Sequence, residues 1–113
     1  MIFILKSPRG IGTIINADYK TKCIKIENKT DRILDRAFGI NENPTWEQFE
    51  AFLESRCFPK TRDKMKLILK DIGIPSYNPL TLIQKTGGYM AEDDLWIEII
   101  NEEKEYENDN FER

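Results

Sequence analysis

An α+β fold is what this 113-residue sequence predicts, and three features predict it. Short apolar runs separated by turn residues, the third of them alternating at period two, mark the first 28 residues. Two or three stretches with 3.6-residue apolar spacing, each opened by a capping residue, fill the middle. A last apolar run, 95–100, follows a glycine pair. Together they describe a small antiparallel sheet of three to four strands with three to four short helices. The whole is a single domain over 1–101, followed by an acidic tail over 102–113.

The strands come first. Ile2-Phe3-Ile4-Leu5 is an apolar run, and Pro8-Arg9-Gly10 supplies turn chemistry before Thr13-Ile14-Ile15. The polar loop 16–22 leads to Cys23-Ile24-Lys25-Ile26-Glu27, which alternates at period two. The three runs read as an antiparallel meander.

The helices follow. Asp31 is placed to cap a short helix through Arg36, closed by Gly39. Thr45 and Gln48 form a capping box, and Trp46, Phe49, Phe52 and Leu53 share one face of the helix it opens, which Pro59 should stop. Thr61 is the next candidate cap, with Met65, Ile68, Leu69 and Ile72 as an apolar stripe ending at Gly73. Asn78-Pro79 is a cap followed by proline at the first helical position, and that helix ends at Gly87-Gly88. Residues 95–100 fit either a strand or the start of a helix; a strand returning to the N-terminal sheet is the favoured reading. The tail carries Glu102, Glu103, Glu105, Glu107, Asp109 and Glu112 against Lys104 and Arg113, a net −4, and since the whole chain is −3, residues 1–101 are left at about +1. Such a segment is expected to be solvated.

Composition narrows function by exclusion. The chain contains no histidine, which removes imidazole-activated nucleophiles, HExxH metalloproteases and His-ligated zinc. Cys23 and Cys57 lie far apart and read as two reduced thiols in or near the core. No apolar run reaches the ~20 residues of a membrane span, and Met1–Leu5 is too short for a signal peptide, so a cytoplasmic location is expected. Gly10-x-Gly12 lacks the third glycine of a dinucleotide fingerprint and reads as a strand turn. Glu92-Asp93-Asp94 lacks the spacing of a calcium loop. Its expected role is to cap backbone donors through Asp93 or Asp94, or to hold Arg56 or Arg62 in a bidentate pair. No cofactor, metal-ligand set or catalytic constellation is legible.

The features suited to a surface are a basic cluster and a few aromatics. Between positions 56 and 70, Arg56, Lys60, Arg62, Lys64, Lys66 and Lys70 are opposed only by Asp63, and the two helices flanking Pro59 are similar in layout to a helix-turn-helix. Nucleic-acid phosphates or an acidic protein are the partners such a cluster fits. The sequence pI of about 5.1 disfavours DNA, whose binding domains usually lie above ~9. Both tryptophans are expected in the core, whereas Phe58 and Tyr89 are the candidate exposed anchors. Arg56, Phe58, Lys60, Arg62, Tyr89 and Asp94 are therefore the candidate partner-binding residues.

The order Phe49-x-x-Phe52-Leu53-x-x-Arg56-x-x-Pro59-x-Thr61-Arg62, then Leu69-x-x-Ile72-Gly73, Thr86-x-Gly88 and Asp94-x-Trp96-Ile97 resembles the segment that precedes the catalytic domain in HipA-like kinases of Firmicutes. It spans a little under half the chain. No kinase catalytic residue has a counterpart here. The resemblance implies a free-standing accessory segment, a regulatory or antitoxin-like partner in a toxin–antitoxin or mobile-element system. The sequence thus predicts a non-enzymatic protein-binding module. The alternative is a nucleic-acid-binding regulator using the basic helices around Pro59.

Overall fold

The computed structural model describes residues 1–57 and 64–100. The predicted meander is present and longer than its apolar runs alone suggested: β1 (Ile2–Ser7), β2 (Gly10–Asp18) and β3 (Cys23–Asn28). The favoured strand over the last apolar run also forms, as β4 (Trp96–Ile100). It pairs antiparallel with β1, which gives a four-stranded sheet of order β3-β2-β1-β4. The fold class is α+β, as the patterning predicted.

Register decides which side chains face the core. Phe3 opposes Ile15 and Ile99, and Leu5 opposes Thr13 and Ile97. Phe3, Leu5, Ile15, Ala17 and Ile97 are all buried on this face. Between Leu5 and Lys6 the register slips, and Gly12 is the extra residue on β2. This bulge has a steric cause: a Cβ on Gly12 would lie 1.9 Å from the carbonyl oxygen of Asp35, so only glycine admits the segment that packs there.

Helix α1 (Trp46–Ser55) opens with the predicted capping box. Thr45 Oγ1 accepts from Gln48 N–H at 3.2 Å, and Gln48 Oε1 accepts from Thr45 N–H at 2.9 Å. Its Trp46, Phe49 and Leu53 are buried, and Phe3 and Phe49 pack edge-on with centroids 5.2 Å apart. Helix α2 (Met65–Asp71) contributes buried Leu69. It begins behind Lys64 in a left-handed conformation (φ +58°), without a side-chain cap; the expected cap at Thr61 and the stop at Pro59 lie outside the described residues. Helix α3 (Pro79–Thr86) is capped by Asn78 and closed by Gly87 at φ +78°, as its flanking residues predicted.

Three expectations are corrected. The helix proposed over 31–36 is only a 3-10 turn at Ile33–Asp35, with no side-chain cap from Asp31. That segment is captured by the sheet instead: Ala37 N–H bonds to the buried Thr13 Oγ1 at 3.1 Å, and Asp35 packs over Gly12. Of the two thiols only Cys57 is buried; Cys23 is exposed. Trp46 lies in the core, but Trp96 has the outward parity of β4 and is absent from the core cluster. Among the described residues no helix is long and apolar enough to cross a membrane.

Candidate functional site

Two arginine-centred ion-pair networks lie side by side on the 88–95 connection from α3 to β4, one reached from the end of α1 and the other from the β1–β2 turn. Arg56 is the first element. It is the C-cap residue of α1 and continues the apolar face of Phe49 and Leu53 by one further turn, so the helix aims a guanidinium inward. The side chain is buried, 7% exposed. Its Nε donates to Gly88 C=O at 2.9 Å, and Nη2 donates to Leu95 C=O at 3.0 Å. Nη1 and Nη2 grip Asp93 at 2.7 and 3.0 Å. Asp93 in turn accepts the Leu95 N–H at 3.0 Å. The hydrogen bonds from Arg56 hold the Asp93 carboxyl below its usual range despite partial desolvation. Both roles expected of the acidic triplet, bidentate pairing and backbone capping, are thus filled by Asp93.

This anchored connection carries an aromatic pair on its outer side. Gly87 and Gly88 both have positive φ, +78° and +69°. A Cβ on Gly87 would press on the Tyr89 ring at 2.9 Å, and one on Gly88 would press on Ile97 at 3.2 Å. The two glycines let the chain turn tightly, with Ile97 N–H bonded to Gly87 C=O at 2.7 Å. Tyr89 then stacks on Trp96 with centroids 5.9 Å apart and planes 15° from parallel. Its exposure is nevertheless 62%, among the highest of the large apolar side chains.

Arg9 is the second centre. The tight turn after β1, with Gly10 at φ +122°, projects it toward two acids far away in sequence. It holds Asp35 through Nε and Nη2 at 2.8 and 3.0 Å, and Asp94 through Nη1 and Nη2 at 2.9 and 2.8 Å. Arg32 Nε adds a 3.2 Å bond to Asp35. The Asp35 side chain is 6% exposed, and its hydrogen bonds from Arg9 lower its pKa, as they do for Asp94. A cleft of about 610 Å³ lies here, lined by Arg9, Arg32, Leu34, Asp35 and residues 91–95.

These acids are ionised and occupied by guanidinium groups. A general acid needs the opposite, a carboxyl raised by an apolar setting. The Glu92-Asp93-Asp94 triplet is also split, with Asp93 turned to Arg56 and Asp94 to Arg9. Burial pushes the Cys57 thiol up to about 11, away from nucleophilic reactivity.

The predicted binding residues fall into three groups. Tyr89 is exposed, as expected of an anchor. Arg56 and Asp94 are committed to internal pairs: Arg56 holds the loop from beneath rather than facing outward, and Asp94 is half-exposed but bound to Arg9. Phe58, Lys60 and Arg62 lie outside the described residues. Of the remaining basic cluster, Lys64, Lys66 and Lys70 are exposed. Sequence reasoning missed Arg9, Arg32 and Asp35, whose partners are set by the sheet rather than by any local pattern.

No protein-family model, curated protein or solved structure matches this chain.

Proposed function

We propose that this chain is a non-catalytic protein-binding module that meets its partner through Tyr89 and the 88–94 connection. The observation that carries the reading is an exposed aromatic ring mounted on a loop that a buried arginine ties down at three residues. Anchors of this kind concentrate interface energy, because a rigid ring already in place loses little freedom on binding. Glu92 beside it is exposed, so the partner surface that fits combines an apolar pocket for the ring with a basic rim.

The non-catalytic part of the proposal is supported by the saturated carboxylates, the unreactive Cys57 and the lack of histidine. Assignment to a toxin–antitoxin or mobile-element system, acting in the cytoplasm on a toxin or kinase-like protein, follows from the resemblance to HipA-like accessory segments. Several residues of that resemblance, Arg56, Gly88, Asp94 and Trp96, converge on this corner. The acidic 102–113 segment is a second proposed contact, acting as a phosphate mimic on a basic target. If so, its deletion lowers affinity at low salt.

Affinity capture from the cell of origin tests the reading. Wild-type protein and Tyr89→Ser should melt alike but differ in at least one captured protein. Identical capture by both removes Tyr89 as the anchor. The nucleic-acid alternative around Pro59 has exposed Lys64, Lys66 and Lys70 in its favour, although Arg56 is spent internally. It predicts duplex binding that weakens steeply with salt.

A further inference from the structure

The core lies on one face of the sheet, and the other face is apolar as well. Ile2, Ile4, Ile14, Trp96 and Ile100 share the outward parity of their strands, and none belongs to the core cluster or packs against it. Sheets that face water alternate cleanly with polar residues on the outer side. Here four isoleucines meet in a block instead: Ile4 opposes Ile14, and Ile2 opposes Ile100.

The rim of that block is charged in a particular order. Register gives two adjacent rows across the sheet, Glu27-Ile14-Ile4-Glu98 and Lys25-Asn16-Ile2-Ile100. Lys25 and Glu27 are exposed on β3, and Lys6 pairs with Glu98 at 2.8 Å near the opposite edge. With Asp18 outward on β2 and Lys29 beside Glu27, this face sets Lys6, Lys25 and Lys29 against Asp18, Glu27 and Glu98, with no excess of either sign to repel its own copy.

We infer that a second copy of this chain packs on this face, related by a two-fold axis running across the strands between the two rows. Face-to-face pairing about that axis lays each row on the other row of the second copy. Lys25 then meets Glu27 of the second copy and the reverse, giving two symmetric ion pairs; Ile4 lies over Ile2, Ile14 over Asn16 and Ile100 over Glu98. The alternative axis, along the strands, would set Glu27 over Glu98 and bring like charges together. An isologous contact is the closed solution for a self-complementary patch, and aligned sheet packing tolerates the twist-derived offset of about 30°. Glu27 also accepts Lys29 within its own chain, so the pairs set orientation more than strength. Ile2 and Ile4, each meeting the other of the second copy, supply the apolar centre, and Ile14 and Ile100 flank it. Tyr89 sits beyond these rows next to Trp96, which leaves the proposed anchor at the rim of the pair.

Sedimentation equilibrium of the purified full chain across micromolar concentrations tests this. A dimer of twice 13.3 kDa is expected. Ile14→Lys should give a monomer with unchanged circular dichroism. Lys25→Glu should weaken the dimer about tenfold, and Lys25→Glu with Glu27→Lys should restore it, because the reversed pairs are equivalent. Tyr89→Ser should dimerise normally, which separates this interface from the partner-binding reading. A monomeric wild type at every concentration overturns the inference. So does a dimer that ignores Ile14→Lys, or a double reversal that fails to recover what the single one lost.

Discussion

Replacing Arg56 with methionine should cost more than any exposed substitution in this chain, and the structure allows the cost to be worked through. The guanidinium makes four hydrogen bonds, two to the carbonyls of Gly88 and Leu95 and two to the Asp93 carboxylate. Methionine fills much of the space but donates nothing. Gly88 and Leu95 are buried, so their carbonyls lose a donor that water replaces poorly. Leaving a buried polar group unpaired costs about 1–3 kcal/mol, and breaking a fully buried ion pair about 3–5 kcal/mol. The Asp93 side chain is 34% exposed and can rehydrate, which argues for the lower end. The net expectation is about 3 kcal/mol, or roughly 10–20 °C in Tm for a domain of this size. Arg56→Lys keeps the charge but cannot span both carbonyls and the carboxylate, so it should recover only part of the loss. Asp93→Asn added to Arg56→Met should cost little more, because the pair is already broken. Urea denaturation followed by circular dichroism measures all three. A loss below about 1 kcal/mol for Arg56→Met would show that the corner does not depend on this side chain.

Three further outcomes follow from the same geometry. Gly12→Ala forces a Cβ to within 1.9 Å of the Asp35 carbonyl oxygen; it should destabilise by about 1–3 kcal/mol and expose the Arg9–Asp35 pair, visible as faster amide exchange over 33–37. Thr45→Ala removes the capping box and should cost about 1 kcal/mol in the same denaturation assay. Asp35, Asp93 and Asp94 are held below the ordinary value of 3.8 by their arginine partners. Their contribution is therefore complete above that unfolded value and drains away as pH falls through the lower folded values. With no histidine in the chain, stability should stay nearly flat from about pH 5 to 8 and drop below about pH 4; urea midpoints against pH report it.

Much of the fold was legible because its signals are local. Thr45 with Gln48, and Asn78 with Pro79, satisfy backbone donors within one turn, so no distant neighbour can displace them. The period-two run at Cys23–Glu27 and the glycine pair at 87–88 act over similarly short spans. Asp31 failed as a cap because its segment finds better partners in the sheet, through Thr13 and the bulge at Gly12. The candidate site was only half legible. Arg56 does announce itself: at helical spacing from Phe49 and Leu53 it extends an apolar face, where a charge implies a buried partner, and Asp93 was one of two acids expected to pair with it. Arg9 announces nothing, because its partners Asp35 and Asp94 lie 26 and 85 residues away and only the folded sheet brings them together. The outward isoleucines of β1 and β2 were equally hidden. An unbroken apolar run reads the same whether one face is buried or two.

The proposed function requires Tyr89, presented by the Arg56-anchored loop, to touch a partner protein. Photo-cross-linking tests it most directly: benzoylphenylalanine placed at position 89 in the cell of origin, with Lys85 on the exposed side of α3 as the control position. One discrete cross-linked protein is expected from position 89 and none of that size from position 85. No adduct at 89, or the same adducts from both positions, would contradict it.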